Sequence, residues 1–347
     1  MNHMRRMWKH SSKVGVLYNL LERVQKGEER DLLAEESVTE EIGAVEEAIC
    51  NLGHPCYVMA IQEEIFPVIH WLRNLEIDVV FNLCESVYGN TTWEMNIPAL
   101  LDLFHIPYTG SPPLTLGLCQ DKGKVKDILQ SNGIRTPAYT ILQHPLNHAT
   151  PSEENFSPKI VKPLHEDGSL GITRDSVVSD APGLKKQILY IRQRYAQPAL
   201  VEDYIEGREL NVGLLELNGK VEALPISEID YTEFPEGTPR ICGYEAKWIP
   251  ESVEFQRSKP VCPALLDEGL RDRLESLSME VFHLFGCRDY ARVDIRVDKN
   301  EEIYVIEVNP NPDISPQSGM ARAVKAKGMA YADFVEGLLR KALERRS

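Results

Sequence analysis

The chain has 347 residues, 43% of them hydrophobic and 26% charged, and its 53 acidic residues against 38 basic ones give a formal charge of −15. That length exceeds one ordinary hydrophobic core, so two or three packed lobes of a fully folding globular protein are expected. No basic tract is long enough to track a phosphate backbone, and no apolar run approaches the roughly 18 residues of a membrane span, so neither nucleic acid nor a membrane is expected as a partner. A small anion needs only a local positive pocket, and the global charge does not argue against one.

Seven cysteines, odd in number and without a C-x-x-C pair, read as reduced thiols of a cytoplasmic protein. Arg5, Arg6 and Lys9 before an apolar stretch have the outline of a signal peptide. Asn19 and the Glu22-Arg23 pair interrupt it, and no small-residue cleavage site follows, so the reading is a first strand entered from a short basic tail.

In chain order, residues 14–18 form a buried strand, and Ser37-Val38-Thr39-Glu40 is a capping box opening a helix with apolar positions Ile42, Val45, Ile49 and Leu52. Residues 56–61 and 78–83 alternate as strands around a helical stretch, which predicts a mostly parallel α/β lobe over 1–118. The proline- and glycine-rich segment 106–113 interrupts the pattern, and a helix spans about 121–132. Short strands at 159–162, 177–179 and 199–205 around a helix at 182–195 make a small central α+β lobe, 119–207. The third lobe, 208–347, opens with a hairpin, 209–216 and 220–226, turned at Asn218-Gly219. A long irregular stretch, 230–263, reads as a lid or binding loop. A helix at 264–285, a second hairpin and helices after Ser315 complete the lobe, whose sheet is antiparallel.

The second hairpin carries the chemistry. Arg292-Val293-Asp294-Ile295-Arg296-Val297 and Ile303-Tyr304-Val305-Ile306-Glu307-Val308-Asn309-Pro310 are strand-like, yet hold an Asp, a Glu and an Asn where Val or Ile would be usual. Period-2 alternation puts Arg292 and Asp294 on one face and Glu307 and Asn309 on one face. With the turn closed at Lys299 and Asn300, Arg292 falls opposite Glu307 and Asp294 opposite Val305, leaving Asp294 and Glu307 diagonal, about 7–8 Å apart at the backbone. Two carboxylates and an amide oxygen suit Mg²⁺, which completes its shell with water and substrate phosphates, so a nucleotide is implied. The plain alternative is an exposed hairpin with one Arg–Glu pair. The Asn309-Pro310-Asn311-Pro312-Asp313 ending favours a site.

Neither G-x-x-x-x-G-K-[ST] nor G-x-G-x-x-G occurs. Instead Lys162 lies on the apolar strand Lys159-Ile160-Val161-Lys162-Pro163, followed by Glu166-Asp167-Gly168-Ser169-Leu170-Gly171, a flexible loop whose amides and hydroxyl can approach phosphate. Alone, Lys162 reads as a strand-end lysine reaching water. Val201-Glu202-Asp203-Tyr204-Ile205-Glu206-Gly207-Arg208-Glu209 offers a carboxylate for an adenine amino group, an apolar pair for the ring, and a second carboxylate for ribose; alone it is an edge strand and turn.

The order Lys122, Lys162, glycine loop, Glu202 and Glu209, Lys247, Arg292 and Asp294, Glu307 and Asn309 resembles the ATP-grasp superfamily, and within it the D-alanine–D-alanine ligase-like enzymes, from about residue 78 to 339. The resemblance implies an ATP-grasp fold with ATP between two antiparallel sheets, and an ADP-forming ligase joining a small-molecule carboxylate to an amine, with amino acids as substrates. By position, it implies that Lys122, Lys162 and Lys247 contact phosphates, Ser169 covers the γ-phosphate, Glu202, Tyr204 and Ile205 hold adenine, and Glu209 takes ribose. It likewise implies that Asp294, Glu307 and Asn309 bind two Mg²⁺ ions, or Mn²⁺, that Arg292 faces the tetrahedral oxyanion, and that Ser318 and Trp248 contact substrate. A homodimer is the common state of related ligases.

Departures from the family fall on the substrate side. Its Gly-Gly-x-Ser-x-Glu loop is absent, Trp248 stands for its Tyr, Asp313 for the Gly of its terminal loop, and Asn82-Leu83-Cys84-Glu85 for its His-Gly segment. Substrates other than two D-alanines are therefore expected. The rival readings are the strict cell-wall dipeptide ligase, a non-catalytic ATP-binding relic, which would have lost its metal ligands first, and phosphorylation without ligation.

Overall fold

The computed structural model describes residues 11–20, 26–62, 64–143 and 156–345. The basic start, Glu22 and Arg23 lie outside them.

Hydrophobic runs in the first part build a parallel sheet. Strands β1 (Val14–Asn19), β2 (Cys56–Ile61) and β3 (Val79–Leu83) pair in the order β2-β1-β3, joined through helices α1 (Leu32–Asn51) and α2 (Phe66–Leu75). Helix α1 begins five residues before the expected capping box, which falls inside the helix. The run from Leu32 to Glu36 is rich in strong helix formers. The start is fixed by tertiary contact: the Asp31 carboxylate accepts the Glu28 amide at 2.9 Å and the Tyr195 hydroxyl at 3.0 Å. Two further helices, α3 (Asn96–Leu103) and α4 (Pro113–Cys119), flank the proline-rich segment.

The central part holds α5 (Lys122–Ser131), β4 (Tyr139–Leu142), β5 (Lys159–Pro163), β6 (Val177–Val178), α6 (Ala181–Tyr195) and β7 (Ala199–Asp203), with an antiparallel sheet in the order β4-β7-β5-β6. Strand β4 was absent from the sequence reading; its four residues are half exposed and carry no clear alternation.

The third sheet is also antiparallel. Strand β8 (Gly207–Leu217) turns through Asn218 and Gly219, both at positive φ, into β9 (Lys220–Ala223), as the Asn-Gly signal predicts. The stretch expected to be irregular is partly ordered: β10 (Ser227–Asp230) precedes it, and α7 (Tyr244–Trp248), α8 (Val253–Arg257) and β11 (Lys259–Val261) lie within it. These pieces are three to five residues long, too short to show periodicity. Helix α9 (Glu268–Leu284) covers the sheet, and β12 (Tyr290–Asp298) and β13 (Ile303–Asn309) give the path β11-β10-β8-β12-β13.

Helices α10 (Gly319–Ala326) and α11 (Tyr331–Glu344) then return to the first sheet, where Phe334 and Leu338, both fully buried, join a core with Val14, Val16 and Phe81. This junction is also tied by charge. Asp289, wholly buried, accepts the Gly110 amide at 2.8 Å and both terminal nitrogens of Arg345 at 2.6 and 2.9 Å.

The register of β12 and β13 corrects the expectation. Arg292 pairs with Asn309 and Asp294 with Glu307; after a bulge at Ile306, Ile295 pairs with Val305 and Val297 with Ile303. The turn is one residue longer than expected, with Asp298 donating to the Glu302 carbonyl at 3.1 Å and Glu301 at φ 58. The bulge adds a second single-residue slip. One slip would turn the polar side chains into the core, but two restore the face and make Asp294 and Glu307 direct neighbours.

Removing Asp289 strands Arg345 beside a buried amide. Asp289→Ala should lower the free energy of unfolding by about 3–5 kcal/mol in a urea titration; a loss under about 1 kcal/mol would show that apolar packing alone holds the junction.

Candidate active site

The central and third sheets face each other across a cleft of about 1080 Å³. Of the residues singled out in the sequence, Lys162, Ser169, Glu202, Tyr204, Ile205 and Glu209 line it from the central side and the start of β8. Lys247 and Trp248 line it from the α7 loop, and Arg292, Asp294, Glu307, Asn309 and Ser318 from the far side. Lys122 stands behind this wall, at the start of α5.

On the hairpin, Asp294 is the centre of a hydrogen-bonded group. Arg292 grips it in a fork, Nε to Oδ1 at 2.7 Å and Nη2 to Oδ2 at 2.8 Å; Asn211 donates to Oδ1 at 2.8 Å and Asn309 to Oδ2 at 3.1 Å. Glu307, across the strand pair, meets the Lys122 ammonium at 2.5 Å. That ammonium also donates to the Glu166 carbonyl at 2.6 Å and to Asp167 at 2.8 Å. Burial opposes the charge on Glu307, but Lys122, with Lys162 and Arg292 nearby, outweighs it and holds the carboxyl well below the usual range. Glu307 stays ionised. The bulge also turns Ile306 toward the cleft beside Glu307, supplying an apolar floor.

At the other end, Glu202 is 1% exposed and ion-paired with two lysines: Lys162 at 2.6 Å, and Lys126. Burial works against its charge and the two ammonium groups prevail, keeping it ionised. Lys126 is fully buried, donates to the Thr136 hydroxyl at 2.9 Å, and has its own ionisation pulled down by burial. The sequence reading missed it, although Lys122 and Lys126 stand four apart on one face of α5, a readable signal. Glu209 accepts from Arg296 at 2.7 Å and from the Tyr231 hydroxyl at 2.8 Å. Arg296 was also missed; it continues the alternation of Arg292 and Asp294, and its guanidinium lies 5.7 Å from the Tyr204 ring centre.

Two loops meet over the side of the cleft that carries Lys247. Ser169, at φ 64, donates its hydroxyl to the Cys242 carbonyl at 2.8 Å, and the Trp248 indole donates to the Gly168 carbonyl at 2.8 Å. The Lys247 ammonium lies 4.7 Å from the centre of the Trp248 ring. Ser318 caps α10, accepting the Ala321 amide at 3.1 Å, and four residues on Arg322 lines the same end of the cleft, its Nε without a partner among the described residues.

Two antiparallel sheets closing on such a cleft define the ATP-grasp class. The solved D-alanine–D-alanine ligase of Bacillus anthracis complexed with ATP shares this fold, with a TM-score of 0.71, 23% identity, and 97% of this chain and 99% of that one covered. Residues 128–340 match the family described as D-ala D-ala ligase C-terminus. The chain is 30% identical to the D-alanine–D-alanine ligase of Aquifex aeolicus over 84% of its own length and 91% of that protein. It is 36% identical to the uncharacterized protein y4sG of Sinorhizobium fredii, over 75% and 73%. The chain therefore belongs to the D-alanine–D-alanine ligase family, ATP-using, ADP-forming ligases that make C–N bonds.

Lys126→Met keeps the length of the side chain and leaves Glu202 with one cation. ATP affinity, read by isothermal titration calorimetry, should fall about ten- to a hundredfold, the worth of a charge-assisted contact; an unchanged Kd would separate Lys126 from nucleotide binding.

Proposed function

We propose that this ligase activates a small amino acid at its carboxylate and joins it to an amine, with substrates other than a pair of D-alanines. The observation that carries the reading is the direct pairing of Asp294 with Glu307 beside Arg292, across one cleft from Lys162 and Glu202.

In this reading Glu202 accepts from the adenine amino group, Tyr204, Ile205 and Ile306 enclose the ring, and Glu209 accepts from ribose. Lys162, Lys247 and the amides of the glycine loop face the phosphates, with Lys122 behind them. The donor set also fits Mg²⁺. Asp294, Glu307 and the Asn309 amide oxygen are hard ligands on one face, and among the described residues no group of three or more His, Cys, Asp or Glu forms a closed site. Such an open set suits an ion that completes its shell from phosphate and water. When bound there, it would neutralise charge on the terminal phosphates.

The chain's own groups do the rest. A carboxylate oxygen of the first substrate attacks the γ-phosphorus, the bond to the bridging oxygen breaks, and ADP leaves. The amine of the second substrate attacks the acyl carbon, and the negative charge that builds on the carbonyl oxygen faces Arg292, held in place by its fork to Asp294. Collapse breaks the acyl–oxygen bond, and the departing phosphate takes up the proton that the amine sheds. The Trp248 contact to the glycine loop supports closure over the site and exclusion of water. All seven cysteines are free, which suits the reducing cytoplasm, and among the described residues no helix is long and apolar enough to cross a membrane.

The strict cell-wall enzyme is the second reading, favoured by the names of the relatives. Trp248, Asp313 and the 82–85 segment argue for other substrates. D-Alanine as sole amino acid should release ADP at least about tenfold more slowly than the preferred pair. Asp294→Asn and Glu307→Gln should each lower carboxylate-dependent ADP release by about a hundredfold or more while the circular dichroism spectrum stays native; full turnover in either variant would remove the metal assignment.

A further inference from the structure

A second cavity, of about 150 Å³, opens beyond Arg292, Lys247 and Asn309, between the glycine loop and the first sheet. A dry cavity of similar size holds a benzene-sized molecule, so there is room for roughly six to eight heavy atoms. Its walls are acidic: Asp31 and Glu41 come from α1 and its N-cap, Glu85 and Glu94 from the segment after β3, and Asp313 from the loop after β13. Glu41, on α1, is 6% exposed and accepts the Ile314 amide at 2.9 Å; Asp313 accepts the Ser315 amide at 2.7 Å. The two carboxylates are thus fastened to neighbouring turns of one loop. Burial, with Asp313 and Glu85 nearby, pushes Glu41 well above the usual carboxylate range.

A separate observation says what kind of atom is wanted. Ser86, Gln120 and Asp31 line the cavity at 4%, 7% and 7% exposure, and Ser86 Oγ, Gln120 Oε1 and Asp31 Oδ1 have no hydrogen-bond partner among the described residues. The amide and carboxylate oxygens only accept. Buried acceptors left empty in an acid-lined chamber call for a donor with several hydrogens, and an ammonium supplies three.

We propose that this cavity holds the side chain of the carboxylate substrate and that the side chain ends in an ammonium: a small diamino or ω-amino carboxylic acid. The carboxylate lies at Arg292. An α-ammonium stays beside its own carboxylate, so an ammonium set among the cavity's acids belongs to an amine carried further along the substrate's chain. The assignment rests on the carboxylate-activating reading above.

The test uses the full chain with ATP, Mg²⁺ and hydroxylamine, scoring hydroxamate and ADP for 2,4-diaminobutyrate, 2,3-diaminopropionate and 4-aminobutyrate against 2-aminobutyrate, alanine and aspartate. For 2,4-diaminobutyrate, kcat/KM should exceed that for its uncharged counterpart 2-aminobutyrate by about ten- to a hundredfold. Glu41→Gln should cut that ratio by about tenfold, mainly through KM, and the more exposed Glu85→Gln gives a second reading should the first fail to fold. A wild-type ratio of one or less, or a ratio unmoved in a folded Glu41→Gln and in Glu85→Gln, overturns the proposal. Hydroxamate from the neutral acids with no preference leaves carboxylate activation standing and removes only the cationic side chain. No hydroxamate and no ADP from any of the six removes both.

Discussion

The site depends on a row of four charges, two carboxylates flanked by two cations: Lys122, Glu307, Asp294 and Arg292. Lys122 and Glu307 touch at 2.5 Å, Glu307 and Asp294 are cross-strand neighbours, and Arg292 forks onto Asp294. Two carboxylates side by side at the floor of a cleft repel, and either would take up a proton if left alone. A cation at each end offsets that repulsion, and Lys122 holds Glu307 well below the usual carboxylate range. Because Lys122 also holds the Glu166 carbonyl and Asp167, the same row positions the root of the glycine loop. One electrostatic requirement therefore ties α5, the loop and the β12–β13 hairpin together.

The Glu202 end of the cleft repeats the solution. Glu202 is enclosed by Lys126 and Lys162, and Glu209 by Arg296 and Tyr231. Both carboxylates of this end are held in place by the chain's own cations and, at Glu209, by a hydroxyl. Fixed dipoles and charges of this kind need little reorganisation when substrate arrives, which is where a ligase gains most of its rate. The cost falls on stability, since lysines and carboxylates taken from water are repaid only where the geometry is good.

Which parts of this were readable follows from the physics of each signal. The face of the hairpin was legible because period 2 is a local property, and an Asp, a Glu and an Asn on strands stand out. The register was not, because a bulge at Ile306 and an extra turn residue leave no mark in the alternation of the residues shown outward. The start of α1 was misplaced for a different reason: Ser37 to Glu40 spell a local cap, but Asp31 is held by Tyr195, distant in sequence. Lys126 was legible by its spacing from Lys122 and overlooked because a lysine on a helix is ordinarily a solvated one. The pairing of α11 with the first sheet needs a contact across most of the chain, and no local pattern encodes it.

The distribution of functional groups over the scaffold separates chemistry from choice of substrate. Arg292, Asp294, Glu307 and Asn309 sit on two strands bonded to each other, with β8 on the far side of β12, so their spacing is fixed by the ladder. The groups of the smaller cavity come from α1, from the segments after β3 and β13, and from the glycine loop, where side chains change without disturbing a sheet. Asp313 stands where the two sets meet: its loop leaves directly from the end of β13, and its charge is felt by Arg292 and by Glu41. Glu85, Trp248 and Asp313, three positions where this chain departs from its family's pattern, all line the smaller cavity, while Asp294 and Glu307 stay paired across the hairpin.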